Sequence, residues 1–260
     1  MLPLPFLNPA AGTPAVRNPL RPSLIVPTQA VDADDLSSHC AEAARTGVVD
    51  VVEWRIDPLL AGSDADGATR AEAVLALLPH AVAAGLPVLV TLRTGFEGGL
   101  VDIAEDEYAE VVRHLIAGLS GTVPIALDIE IDRAESHALI AAAREVGIPV
   151  VASHHNFEST DSEEDLLATF RRMAEAGADV AKAAMMPRSP VDVARLLAAT
   201  AEAQEELGCP VLGISMGQLG RASRIMGADF GSCATFAQIG EASAPGQIDA
   251  AHLAEILDRI

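Results

Sequence analysis

Lysine is almost absent from this sequence: Lys182 is the only one among 260 residues, and sixteen arginines carry the rest of the positive charge. A guanidinium stays protonated in proteins, whereas an ammonium can be driven to the neutral amine and then attack a carbonyl. The single lysine therefore marks a position that arginine would not serve. Its neighbours Val180, Ala181, Ala183 and Ala184 are small and apolar, so it reads as a buried strand residue; the bland alternative is a buried stem with its head in water. Basic charge is scarce altogether, and the net charge of -20 excludes nucleic acid or an anionic membrane as partner, since either needs a basic patch. An anionic substrate would enter only where arginines reverse the field locally.

Other scarcities narrow the class. Aromatics make up 3% against 50% hydrophobic residues, so the core is built from Ala, Val, Leu and Ile, an α/β composition. Cys40, Cys209 and Cys233 are far apart with no CxxC spacing, which excludes a disulfide framework or cysteine metal site and fits a reducing cytoplasm. No run is long enough to span a bilayer. The apolar MLPLPFL start lacks a basic flank and is broken by proline, so residues 1–22 read as a partly ordered N-terminal extension rather than a signal peptide. No GxGxxG follows the first strand, which weakens a dinucleotide-binding reading.

What is present is a rhythm. Short apolar runs at 23–26, 48–57, 87–93, 124–130, 149–155, around Lys182, at 210–216 and at 230–236 alternate with longer amphipathic stretches. The stretches at 34–47, 71–84, 108–119, 135–146, 163–176, 190–207 and 248–260 read as helices. Eight such βα units predict one (β/α)8 barrel domain spanning 1–260, with an open doubly wound sheet as the alternative. Within 48–57, a strand puts Glu53, Arg55 and Asp57 on one face and Val52, Trp54 and Ile56 on the other. Glu53, Arg55, Arg93, Glu97, Asp128, Glu130, His155, Lys182, Ser215 and Ser232 all fall at or just past predicted strand ends. In this barrel, active sites are built at that end.

Seven stretches carry a resemblance: VVEWRID at 51–57, TLRTGFEGG at 91–99, SHHNF at 153–157, GADVAKAAMMP at 177–187, SMGQLGRASR at 215–224, FGSCATF at 230–236 and SAPGQI at 243–248. In this order they resemble type I 3-dehydroquinate dehydratase, the Schiff-base class. The resemblance implies dehydration of 3-dehydroquinate to 3-dehydroshikimate in the shikimate route to aromatic compounds, with no metal and no added cofactor. Lys182 would form the imine, His155 would act as general acid and base, and Glu97 would orient His155. Arg224, Ser243 and Gln247 would hold the substrate carboxylate, the last two from a lid. Glu53, Arg55 and Arg93 would position the hydroxylated side of the ring, and Met216 and Phe236 would wall the site. Asn156 stands where the family commonly has Asp, and His155 is preferred over His154 because it lies two residues before Phe157. Burial and the nearby arginines Arg55, Arg93 and Arg224 are expected to surround Lys182. The resemblance also implies a homodimer. Two rival readings are a class I aldolase, which shares the imine-forming lysine, and a barrel that only binds a small acid.

Overall fold

The computed structural model describes residues 1–8, 12–119, 124–240 and 246–260. Eight parallel strands are present among them: β1 (Ser23–Thr28), β2 (Val51–Arg55), β3 (Val88–Thr91), β4 (Ile125–Glu130), β5 (Val150–Asn156), β6 (Val180–Met185), β7 (Val211–Ser215) and β8 (Ala234–Phe236). They pair in the order β7-β6-β5-β4-β3-β2-β1-β8. The ring closes through a bridge between Val211 and Ser232, where the Cys233 N–H donates to the Val211 carbonyl at 2.9 Å. This is the (β/α)8 barrel that the alternation of elements predicts.

The helices are α1 (Ala33–Thr46), α2 (Asp57–Leu60), α3 (Gly67–Val82), α4 (Glu105–Leu119), α5 (Ser136–Glu145), α6 (Glu163–Glu175), α7 (Pro190–Glu206), α8 (Arg221–Met226) and α9 (Ala250–Leu257). Local sequence sets their starts. Asp32, Asp66, Ser162, Ser189 and Asp249 each accept a backbone N–H of the first turn, and such caps contribute about 1 kcal/mol each. Among the described residues, no helix is long and apolar enough to cross a membrane.

The period of two along each strand separates two environments. Outward residues such as Val52, Trp54, Val90, Leu127, Ile129 and Ala181 join the core beneath the helices. Inward residues stack in layers. The lowest is apolar, with Ile25, Val51, Leu89, Ala126, Val151, Val180, Leu212 and Ala234 in one buried cluster. Two residues further along five of these strands stand Glu53, Thr91, Asp128, Ser153 and Lys182, all buried. The polar layer thus rests on a dry floor.

That floor is sealed from below by the N-terminal extension. Leu4, Phe6 and Leu7, around a 3-10 turn at Pro5–Leu7, are at most 2% exposed and join the same inward cluster. Within the extension these three residues form a plug, while Met1, Leu2 and Leu20 are exposed.

Several predicted strands are shorter than the pattern indicated, β2 and β8 the most. The strand read over 48–57 ends at Arg55, and Asp57 opens α2 with a proline in its first turn. Its carboxylate turns back to grip Arg55, at 2.7 Å to Nε and 2.8 Å to Nη2. The strand read over 230–236 begins only at Ala234, because Gly227–Phe230 forms a 3-10 turn. Ser232 therefore lies before its strand. Its Oγ accepts the Gly213 N–H at 3.1 Å, so it belongs to barrel closure and not to the site.

Candidate active site

A cavity of about 280 Å³ opens at the C-terminal end of the barrel, lined by residues from successive strands and the loops that follow them. Every described residue that the resemblance assigns to the site lines it: Lys182, His155, Glu97, Glu53, Arg55, Arg93, Arg224, Gln247, Met216 and Phe236. Asp128, Glu130 and Ser215, also read at strand ends, are buried and do not line it. Ser243 lies outside the described residues. Phe157, part of the SHHNF stretch, also lines the cavity, as do Gln29 and Leu100; the last two, ordinary loop residues, carried no signal in the sequence.

Lys182 is 3% exposed, on the inward face of β6. Its Nζ lies 3.2 Å from Asp128 Oδ2, 3.7 Å from Glu53 Oε1 and 4.9 Å from the centre of the Phe236 ring. Its nearest charges are therefore carboxylates and not the arginines expected around it. The reason is visible in Arg93, whose guanidinium is spent on acids. Nη1 donates to Glu97 at 2.8 Å, Glu130 at 3.0 Å and Ser153 at 3.1 Å, and Nη2 donates to Asp128 at 2.7 Å. A buried guanidinium requires such partners, and they hold it well above the usual arginine range against the opposing effect of burial.

Asp128 joins Arg93 and Lys182. One oxygen takes Arg93 and the Ser153 hydroxyl at 2.6 Å, and the other faces Lys182. Burial alone would raise its carboxyl, but Arg93 and Lys182 outweigh burial and hold it below the ordinary value. Strand-end position and shared parity with Glu130 marked Asp128 in the sequence. Nothing there connected it to a lysine 54 residues away.

Glu97 sits on a 3-10 turn, Gly95–Glu97, after β3. The turn presses on the strand end: a Cβ on Gly99 would meet the Arg93 carbonyl oxygen at 1.9 Å, so only glycine brings the loop this close. Glu97 Oε2 lies 2.8 Å from His155 Nδ1 and accepts from Arg93. Burial raises Glu97 to about 8, with Arg93 opposing and Glu130 adding. Burial likewise holds His155 well below the ordinary imidazole value, helped by Arg93 and Lys182. The pair leaves Nε2 as the second ring nitrogen of His155, on a side chain that lines the cavity.

The adjacent His154 takes the other face of β5 and meets Asp132 and Asp161 instead. Asn156 Nδ2 donates to Asp161 Oδ1 at 2.8 Å, so a carboxylate is still present here, five residues further along the loop. Glu97, Asp132 and His154 offer ligand atoms within 4.8 Å of one another. Arg93 and Arg172 already neutralise the two carboxylates, which makes the group an ion-pair cluster.

Across the cavity, Arg224 from α8 is 2% exposed and donates to the Phe236 carbonyl at 3.2 Å. Burial draws it down to about 10, so it remains a cation at neutral pH. Gln247 reaches the same space from the segment after residue 245. Gly246 there has a φ of 78°, and a Cβ on it would lie 2.2 Å from the Gly217 carbonyl oxygen, so this segment packs tightly over the loop after β7.

The model of the type I 3-dehydroquinase family matches residues 24–260. The chain belongs to this family. A 3-dehydroquinate dehydratase of Klebsiella pneumoniae strain 342 is 42% identical over 212 residues, 80% of this chain and 82% of that protein. The solved 3-dehydroquinate dehydratase of Geobacillus kaustophilus HTA426 superposes with a TM-score of 0.82 at 33% identity, covering 92% of this chain and 90% of that one. The type I 3-dehydroquinate dehydratase of Clostridium difficile, solved with covalently modified comenic acid, gives 0.80 at 28% identity and 92% of each chain. As a type I 3-dehydroquinase, the chain presents one cavity that gathers a buried lysine, a histidine-carboxylate pair and an arginine. In such a set an amine can serve as a nucleophile, an imidazole as a base and a guanidinium as an anion receptor.

Proposed function

We propose that the chain is a 3-dehydroquinate dehydratase of the shikimate pathway, acting through a Schiff base at Lys182. The observation that carries this reading is the convergence of Lys182 with the His155–Glu97 pair in the cavity of a type I 3-dehydroquinase. The covalently modified ligand in the Clostridium difficile relative is in keeping with a nucleophile in such a site.

In the proposed sequence, the neutral amine of Lys182 adds to the ring ketone and water leaves, giving an imine. The imine acidifies the C–H next to it. Nε2 of His155 takes that proton, and the electron pair enters an enamine. The enamine then expels the hydroxyl on the next carbon as His155 returns a proton to it, so one water departs and a conjugated imine remains. Hydrolysis restores the amine and releases the unsaturated ketone. The net change is loss of one water, the proton that His155 takes from carbon leaving with the hydroxyl.

Arg224, with Gln247 and Ser243, would receive the substrate carboxylate, for which a guanidinium fork suits bidentate contact. Glu53 and Arg55 would meet the ring hydroxyls, Asp57 having fixed Arg55 through Nε and Nη2. Arg93 would act from behind them as the common counter-charge. Met216 and Phe236 would supply the apolar walls. A homodimer in the cytoplasm belongs to the same proposal, and light scattering tests the assembly.

The deciding experiment is borohydride reduction in the presence of 3-dehydroquinate followed by peptide mass mapping. A stable adduct on the Lys182 peptide, absent without borohydride, is expected. Folded protein that yields no adduct would sink the Schiff-base reading.

A further inference from the structure

His154 takes no part in the chemistry above, yet both of its ring nitrogens are engaged. Nδ1 lies 2.6 Å from Asp132 Oδ2, and Nε2 lies 3.2 Å from Asp161 Oδ2. An ionised carboxylate accepts and does not donate, so each nitrogen must carry a proton, and an imidazole with two N–H groups is a cation. Burial opposes the charge, but the two carboxylates outweigh it and raise His154 above the ordinary value. The charged groups around it come from three directions. Asp132 follows β4 and is shared with Arg172 of α6 at 2.5 Å; Asp161 precedes α6; Glu97 approaches from the loop after β3.

The contact with Glu97 is the informative one. His154 Nδ1 lies 4.0 Å from Glu97 Oε1, a buried oxygen with no hydrogen-bond partner. The other oxygen, Oε2, serves Arg93 and His155. Glu97 is therefore flanked by two cations, while Glu130 and Asp128 work against its charge. Arg93 is divided among Glu97, Asp128 and Glu130, which limits what it supplies to any one of them.

We propose that His154 is a positioning residue, a fixed cation that supports the ionised form of Glu97 and through it the basicity of His155. Ionised Glu97 accepts the Nδ1 proton of His155 strongly. That leaves the Nε2 lone pair for the substrate and stabilises the imidazolium formed when Nε2 takes a proton. A protonated Glu97 does both less well. The kinetic part of this inference rests on the dehydratase reading; the charge on His154 does not.

His154→Gln retains hydrogen bonding and removes the charge. The acid limb of the kcat profile for 3-dehydroquinate is expected to move alkaline by about one unit. At pH 7, kcat falls roughly tenfold and is regained at higher pH, with KM, the melting temperature and the Lys182 adduct retained. Asp161→Asn, which weakens the cation without touching Glu97, moves the limb the same way by less and serves if the first variant does not fold. An unchanged profile, or a loss of kcat equal at every pH, overturns the proposal. Nitrogen-15 NMR of histidine-labelled, substrate-free protein reads the charge directly. Two protonated nitrogens on His154 at neutral pH are expected, and a neutral ring there overturns the proposal. A wild-type chain with no dehydratase activity would instead count against the function proposed above, and the NMR reading would still decide the charge.

Discussion

Asp128 lies 3.2 Å from the amine of Lys182 through one oxygen and 2.7 Å from Arg93 through the other. A single carboxylate thus fixes where the nucleophile stands and neutralises the guanidinium behind it. Asp128→Asn puts an amide in that place, and Lys182 keeps only Glu53, at 3.7 Å. Loss of one partner from a buried ion pair costs about 3–5 kcal/mol, a fall in Tm of about 10 °C for a chain of this size. Misplacing a reacting group by about 1 Å costs roughly 100-fold in rate, so kcat should fall by that order. A kcat within threefold of the parent would refute the anchoring role.

Lys182→Arg separates charge from nucleophilicity. The guanidinium keeps a cation between Asp128 and Glu53 but forms no imine. We expect a Tm within a few degrees of the parent, about 1 kcal/mol, with turnover and the borohydride adduct abolished. Lys182→Met leaves Asp128 and Glu53 without the amine between them, Arg93 remaining on the far oxygen of Asp128. Its Tm should fall further, and the deficit should shrink as acid protonates them, which thermal melts across pH will show.

Glu97 and His155 pull stability in opposite directions with pH. Folded Glu97 keeps its proton to about 8, against an ordinary value of 4.5. The stability it contributes is full below 4.5 and lost as pH rises through 8. His155 is held well below its ordinary 6.5, so its contribution is full above 6.5 and lost as pH falls toward the lowered value. Glu97→Gln should therefore flatten the decline of Tm between pH 4.5 and about 8 while leaving the contribution of His155 in place. In the parent, kcat/KM should rise with pH through about 8 as Glu97 ionises, and the variant should lose that limb. A parent and variant with superimposable Tm curves would contradict the assignment.

The barrel was legible because its signal is local. Alternation at Glu53, Trp54 and Arg55, and at Val180, Ala181 and Lys182, separates the two faces of a strand without any knowledge of its partners. Glu53, Arg55, Arg93, Glu97, His155 and Lys182 were legible for the same reason, since strand ends are where local pattern and barrel geometry coincide; Arg224, Gln247, Met216 and Phe236 came only from the resemblance. The parts that escaped depend on distant pairing. Asp128 gains its role from a lysine on β6 and an arginine after β3, and His154 gains its charge from Asp132 and Asp161 on two different loops. The limits of β2 and β8 escaped because a turn-forming Asp57–Pro58 and a 3-10 turn at Gly227–Phe230 compete with runs whose composition alone favours extension.

The N-terminal plug shows the same limit and supplies a test of how separable fold and site are. Seven residues interrupted by proline have no period to read, yet Leu4, Phe6 and Leu7 are as buried as the strand residues above them. The floor they complete lies below the polar layer. Phe6→Ala should cost about 3 kcal/mol through lost burial and the cavity left behind, which lowers Tm by roughly 10 °C. Near room temperature the folded fraction remains high, so kcat and KM should match the parent's. If kcat falls in step with Tm in protein that is still folded, the apolar floor is positioning Lys182 and its neighbours as well as sealing the barrel beneath them.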